Sequence, residues 1–393
     1  MLVFAIGGGA TLVGLRLTRP VPAPVVTQTI PTEYVLPGVA PVLPWPLFGQ
    51  ATVEIEGIGA LGSSGGTRPV PIASVAKLMT AYLILQDHPL GTAEDGPTIT
   101  VSAQEAAEYP AQVAAGLSLV KVVAGEVLTE RQALVALLLP SADNVAQILA
   151  RWDAGSPAAF VTKMNVAAAQ FEMADTHYTD ASGLDPGTVS TALDQVKLAR
   201  RALAVPTLAQ IVALPEATIP VAGLVKNYNT LLGHDGIVGV KTGSTNAAGG
   251  CLVFAAHLEV EGHPVTIIGA VLGQTGAPNR ILGLVLAASQ KLVQAVAGAI
   301  HLYPVVPAGQ VLATVRGPLG TGTALAATSA LTVLGWPGLA YRIAVHATVP
   351  ARVAAGTHVG TVNLTGPGAT IRTDLVTTSA LRPPGPWQRI TQG

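Results

Sequence analysis

Ser74 and Lys77 stand three residues apart at the head of an apolar run with helical spacing, Val75, Leu78, Met79, Tyr82 and Leu83. On a helix that separation puts a hydroxyl and an amine on one face, close enough for the amine to take the hydroxyl's proton. Burial at a helix start, where the dipole disfavours positive charge, would help Lys77 lose its proton, and the free amides there could hold an oxyanion. Further along, Ser141-Ala-Asp143 follows Pro140, and Lys241-Thr242-Gly243 precedes Ser244-Thr245. A hydroxyl at a helix break can pass a proton to a leaving amine. An ammonium beside a hydroxyl suits a carboxylate. Gly243 leaves a ligand room to lie along a strand. Together the three motifs describe acyl transfer through a serine.

Each motif also has a plainer reading. Ser141 could cap the helix beginning near Asn144, Asp143 and Asn144 could be capping or surface residues, and Lys241 could end a solvent-facing strand. A second Ser-x-x-Lys, Ser118 to Lys121, lies where residues 117–123 alternate like a strand of a hairpin, and alternation would turn its two side chains to opposite faces. It is rejected as a nucleophile pair.

The elements that must position these groups follow from periodicity. Residues 50–70 read as two strands around a turn at Gly62–Gly66, Thr129-Glu-Arg-Gln132 as a capping box opening a helix to Leu139, and Ser156-Pro157 and Ser190-Thr191 as helix starts. From Gly236 to Gly273 the pattern is β, with a turn at Glu261-Gly262, and a long helix over about 279–302 follows. Strands at both ends with helices between predict an α+β domain whose antiparallel sheet joins the first and last segments.

Composition narrows the function. The chain has 393 residues, half of them hydrophobic, 11% charged, with a formal net charge of −1, so nothing draws it to nucleic acid. The single Cys251 reads as core filler, and no zinc motif or Cys/His cluster occurs, so no catalytic metal and no cofactor is expected. Residues 2–15 are apolar and uncharged but shorter than a membrane span, matching a signal or tether within residues 1–19. Residues 20–47 hold eight prolines and one charge, Glu33, and read as a stiff linker. Residues 48–303 form the expected main domain. After Pro304 the residues to 393 read as a small β domain with six Arg against one Asp, an excess that suits an anionic surface or simply a solvated face.

The motifs, with Pro71-Ile-Ala-Ser-Val-Ala-Lys, Leu138-Leu-Pro-Ser-Ala-Asp-Asn, Asp180-Ala-Ser-Gly-Leu-Asp and Gly239-Val-Lys-Thr-Gly-Ser-Thr, resemble the serine penicillin-recognising enzymes, and most closely the low-molecular-mass D-alanyl-D-alanine carboxypeptidases of peptidase family S11, over about residues 48–302. The resemblance implies a β-lactamase/transpeptidase-like fold, an antiparallel sheet flanked by helices plus a helical subdomain. It implies Ser74 as acylated nucleophile, Lys77 as its base, Ser141 as proton shuttle, and Asp143, Lys241, Thr242, Gly243, Ser244 and Thr245 as substrate contacts, with the amides of Ser74 and Ser244 as oxyanion hole. Peptidoglycan stem peptides would be the substrate, β-lactams covalent inhibitors, and the cell envelope the location. One departure stands out. The family's second motif usually ends in Asn, while position 143 is Asp and Asn144 comes one place late. A carboxylate accepts hydrogen bonds but cannot donate one to a substrate carbonyl.

Two other functions compete. A class A β-lactamase needs a Glu-x-x-Leu-Asn segment between the second and third motifs, which is absent, and Glu172 is the nearest carboxylate to consider. A non-catalytic wall-binding homologue is left open by Asp143, while the intact Ser74/Lys77 and Lys241/Thr242 pairs argue against it.

Overall fold

The computed structural model describes residues 20–392 together with Gly14, Leu17 and Thr18, so most of the expected tether at residues 2–15 lies outside the described residues. Among the described residues no helix is long and apolar enough to cross a membrane. The chain divides into a larger unit, residues 42–299, and a smaller one made of residues up to 41 with 300–393.

The larger unit is built on a five-stranded antiparallel sheet. Its strands are β1 (Gln50–Ile55), β2 (Gly59–Ser64), β3 (Ile237–Thr245), β4 (Gly249–Val260) and β5 (His263–Gln274), in the spatial order β3-β4-β5-β1-β2. First and last segments therefore meet, as Ile268 opposite Glu54 illustrates. The β4–β5 hairpin turns at Glu261 and Gly262, both at positive φ, the two-residue geometry whose twist matches the flanking strands. The β1–β2 turn falls earlier than the sequence suggests. Gly57, at φ +73°, takes it, and Gly62 lies inside β2.

Helix α1 (Lys77–Asp87) is buried almost all round, at Leu78, Met79, Leu83, Ile84 and Leu85 among others. It is the central helix of the unit. Each such apolar side chain removed from water contributes roughly 1.5–3 kcal/mol. Helix α2 (Glu130–Leu138) opens on the expected capping box, with the Gln132 amide donating to Thr129 Oγ1 and the Thr129 amide to Gln132 Oε1. Helix α3 (Asp143–Ala154) follows after Pro140. The helix expected over 279–302 runs only over Ile281–Ala297, and His301–Val306 is a strand.

The hairpin expected at 117–128 is absent. Val127–Thr129 pairs instead with Thr98–Thr100, and residues 117–123 are irregular. The backbone of that stretch is served from α3: the Asn144 side chain accepts from the Val120 amide and donates to its carbonyl, while the Asp143 amide donates to Ser118 O. A side chain has replaced a ladder partner.

In the smaller unit a seven-stranded antiparallel sheet corrects the linker reading of residues 20–47. Val25–Gln28 pairs with Val311–Arg316 at one edge, and Glu33–Val35 pairs with Ala340–Arg342 at the other. Between its prolines the segment holds short β-forming runs, Val-Val-Thr-Gln and Glu-Tyr-Val. Edge strands tolerate flanking prolines because one side needs no ladder.

Glu130, at the start of α2, is fully buried with neither carboxylate oxygen hydrogen-bonded. Burial pushes its pKa up from 4.5 to about 7, partly offset by Arg131. The folded group thus holds its proton more tightly than the unfolded one. Its stabilising contribution is present below the unfolded pKa and lost as pH rises through about 7. Wild-type protein is expected to lose on the order of 3 kcal/mol relative to Glu130→Gln between about pH 5 and 8. Chemical denaturation across that range measures it, and parallel pH profiles for the two proteins would contradict the assignment.

Candidate active site

Ser74 sits in a single 3₁₀ turn, Ala73–Ala76, that runs directly into α1 at Lys77. Ala73, just before it, takes φ +48°, a left-handed conformation that a non-glycine residue holds only when its surroundings impose it. Lys77 Nζ then donates to Ser74 Oγ at 2.9 Å. The same nitrogen donates to Asp143 Oδ1 at 2.6 Å and to the Ser182 carbonyl at 3.0 Å. Three acceptors match the three protons of an ammonium. Lys77 is nonetheless fully buried, and desolvation pulls its pKa below the ordinary lysine value against the opposing pull of Asp143 and Asp180.

The Ser182 carbonyl is a contributor that periodicity did not assign. It belongs to Asp180-Ala-Ser-Gly-Leu, a loop organised by the Asp180 carboxylate, which accepts from Ser182 Oγ, the Gly183 and Leu184 amides and Thr188 Oγ1. Gly183, at φ +79°, packs so closely that a Cβ there would lie 1.8 Å from Ala73 O. An Asp three residues before Gly in a turn-rich segment was the available signal, since such a carboxylate caps its own loop.

Ser141 lies between α2 and α3 at φ +62°, a second strained residue. Its Oγ accepts from Lys241 Nζ at 2.9 Å, and that ammonium also donates to Thr242 O at 2.9 Å. Lys241 is almost wholly buried, and burial together with the nearby Lys77 charge holds its pKa well below the usual value, with Asp143 pulling the other way. Asp143 is therefore the anion shared by two buried cations. Asn144 faces elsewhere, onto Val120, so the amide one place late does not enter the site.

Strand β3 forms the edge of the sheet beside the Ser74 turn. A Cβ on Gly243 would come within 2.9 Å of the Ser74 amide nitrogen and 3.0 Å of that of Val75, so only glycine lets the strand approach. Above these groups opens a cavity of about 230 Å³ lined by Ser74, Ser118, Ser141, Thr242, Gly243 and Ser244, among others. Three of the residues expected at the site, Lys77, Asp143 and Lys241, are buried and do not line it. Thr245 is placed apart. It accepts from the Ala248 amide at the β3–β4 turn and lines a neighbouring cavity. Ser118, rejected as a nucleophile on a strand argument, is instead part of the cavity wall in an irregular segment.

A hydroxyl touching a buried amine, a second hydroxyl touching a second buried amine, and a glycine edge leading past both are the groups that acyl transfer through a serine would need. The family model of D-alanyl-D-alanine carboxypeptidases, peptidase S11, matches residues 60–275, and the chain belongs to that family. A D-alanyl-D-alanine carboxypeptidase of Streptomyces sp. (strain K15) is 35% identical over 225 residues, 53% of this chain and 74% of that protein. D-alanyl-D-alanine carboxypeptidase DacB2 of Mycobacterium tuberculosis is 38% identical over 193 residues, 47% of this chain and 62% of its own length. The fold also matches the crystal structure of D-alanyl-D-alanine carboxypeptidase DacD from Francisella tularensis, with a TM-score of 0.61 at 20% identity over 88% of this chain and 96% of that one.

Asp143 favours the charged form of Lys77, and an amide would not. Asp143→Asn is expected to lower the Lys77 pKa and move the rising limb of the pH profile for Ser74 acylation to lower pH. Stopped-flow acylation by a chromogenic β-lactam across pH measures the limb, and an unmoved limb would show that Asp143 does not set it. Gly243→Ala, which crowds the Ser74 amide, is expected to slow acylation by at least about 100-fold, the usual cost of losing an oxyanion donor. Near-normal acylation in that variant would exclude the Ser74 amide from the oxyanion hole.

Proposed function

We propose that this protein is a serine D-alanyl-D-alanine carboxypeptidase that removes the terminal D-alanine of peptidoglycan stem peptides. The observation that carries the reading is the 2.9 Å contact between Lys77 Nζ and Ser74 Oγ in a site from which water is excluded around the amine. Neutral Lys77 takes the Ser74 proton as Oγ bonds to the carbonyl carbon of the D-Ala–D-Ala amide. The oxyanion is received by the amides of Ser74 and Ser244. When the C–N bond breaks, the departing amine takes a proton by way of Ser141, leaving an ester on Ser74. Water then attacks that ester, the stem carboxylate is released and Oγ recovers its proton.

Thr242, on the cavity wall, receives the substrate's terminal carboxylate, backed by the buried Lys241 amine beside it in sequence. Penicillins would enter the same ester-forming step and persist, because opening the lactam leaves its amine tethered to the acyl group, where it obstructs the approach of water. Among the described residues no carboxylate lines the cavity, and Glu172 is exposed at φ +58° just past the end of its helix, both of which argue against the β-lactamase alternative. Action on the cell wall requires an extracytoplasmic location. Tethering through residues 2–15 is part of the proposal and rests on sequence alone.

Mass spectrometry after exposure to penicillin is expected to find the adduct on Ser74, and a peptide ending in D-Ala-D-Ala is expected to release D-alanine. Ser74→Ala should abolish the adduct and reduce release by at least about 10³-fold. Release that persists in Ser74→Ala, an adduct on another serine, or rapid repeated turnover of a cephalosporin would each overturn the reading.

A further inference from the structure

The smaller unit contains a cavity of about 400 Å³ lined by Arg352, Val353, Ala354, Ala380, Leu381 and Arg382. Its two arms are joined by an isolated antiparallel bridge, in which the Val353 amide donates to Leu381 O at 3.0 Å and the Leu381 amide to Val353 O at 2.9 Å. Val353 and Leu381 turn into the core, while Arg352 and Arg382, next to them on the two arms, are exposed and both line the cavity. Two like charges on one cavity wall repel unless something neutralises them.

Nothing in the described protein does so. Neither arginine has a hydrogen bond or ion pair among the described residues. The acidic residues of residues 20–41 and 300–393 are only Glu33 and Asp374. Glu33 stands opposite Arg342 on the sheet edge, and Asp374 contacts His358 Nε2 at 3.2 Å. The rest of the wall comes from Val353, Ala354, Ala380 and Leu381, which offer no competing charge.

We propose that this cavity is a binding site for a phosphate group, as a phosphomonoester or phosphodiester, held between Arg352 and Arg382. Guanidinium forks pair with oxyanions through two parallel N–H donors. A carboxylate offers one edge and fits one fork, whereas a tetrahedral phosphate offers oxygens to both sides. Two sources carry such a group, a lipid headgroup and a soluble phosphate-bearing molecule, and the chemistry of the site is the same for each.

The test uses the full chain, Arg352→Ala, Arg382→Ala and, as a control for diffuse positive charge, Arg316→Ala on a different strand. Calorimetric titration with inorganic phosphate and with glycerophosphate is expected to give saturable binding that weakens at least about tenfold in each cavity variant and is unchanged in Arg316→Ala. Co-sedimentation with phosphatidylglycerol vesicles, against phosphatidylcholine vesicles, assigns the source. Vesicle binding displaced by phosphate points to a headgroup, and phosphate binding without vesicle binding points to a soluble ligand. The proposal fails if phosphate does not bind saturably, or if Arg316→Ala weakens binding as much as the cavity variants do. Matching melting temperatures across the variants exclude misfolding as the cause of any loss.

Discussion

The Nζ of Lys77 is fully buried and still makes three hydrogen bonds, to a hydroxyl, a carboxylate and a backbone carbonyl. A buried cation left without partners costs several kcal/mol, so this nitrogen is tolerable only where all three acceptors are delivered. They come from segments far apart in sequence: the turn before α1, the first residue of α3, and the loop at Ser182. The packing of helix against helix is thus tied to the proton chemistry at Ser74. In the proposed mechanism a neutral amine would keep two donors, enough for Asp143 and Ser182, and its lone pair would be free for the Ser74 proton. The geometry that satisfies the resting ammonium is also the geometry that releases it.

A second buried amine sharpens the balance. Burial disfavours the charge of both amines, Lys77 adds to the effect on Lys241, and Asp143 pulls both the other way. Ser141 links Lys241 to the helix break, and Ser141 and Ala73 both hold left-handed backbone conformations. Such residues cost on the order of 1–3 kcal/mol each and persist when their surroundings fix them. Here the fixing contacts are visible. The Ala142 amide is bonded to Ala136 O and the Asp143 amide to Ser118 O, and Gly183 lies directly against Ala73 O.

Local signals were legible wherever one short stretch determines its own structure. The capping box at Thr129, the turn at Glu261-Gly262 and the central strands follow from residue type and period alone. So did the Ser74–Lys77 pairing, which depends on helical spacing within four residues. Long-range partners were hidden. Residues 117–123 alternate like a strand, yet their backbone is bonded by Asn144, a competitor no window of neighbouring residues contains. The edge strands at 25–28 and 33–35 were masked by surrounding prolines, because their pairing partners lie about 300 residues away. Asp180 and Ser182 formed a recognisable turn, but its attachment to Lys77 exists only in three dimensions.

The Asp143-Asn144 pair bears on whether the departure from the family pattern is one of register or of charge. If the second motif had slipped by one residue, the Asn144 amide would face Lys77 and the carboxylate would lie elsewhere. Successive helical residues point about 100° apart, so only one of the two can look into the site. Asp143 does so at 2.6 Å, and Asn144 is committed to both polar groups of Val120, bracing the segment that brings Ser118 to the cavity wall. Neither position can take the other's place without unfastening that wall. The backbone therefore keeps its register, and what changes is a donor turned into an anion beside two buried cations. The position of the Lys77 amine is preserved while the carboxylate beside it favours its charged form, so in the proposed mechanism this residue would act on the pH at which the site works rather than on its shape.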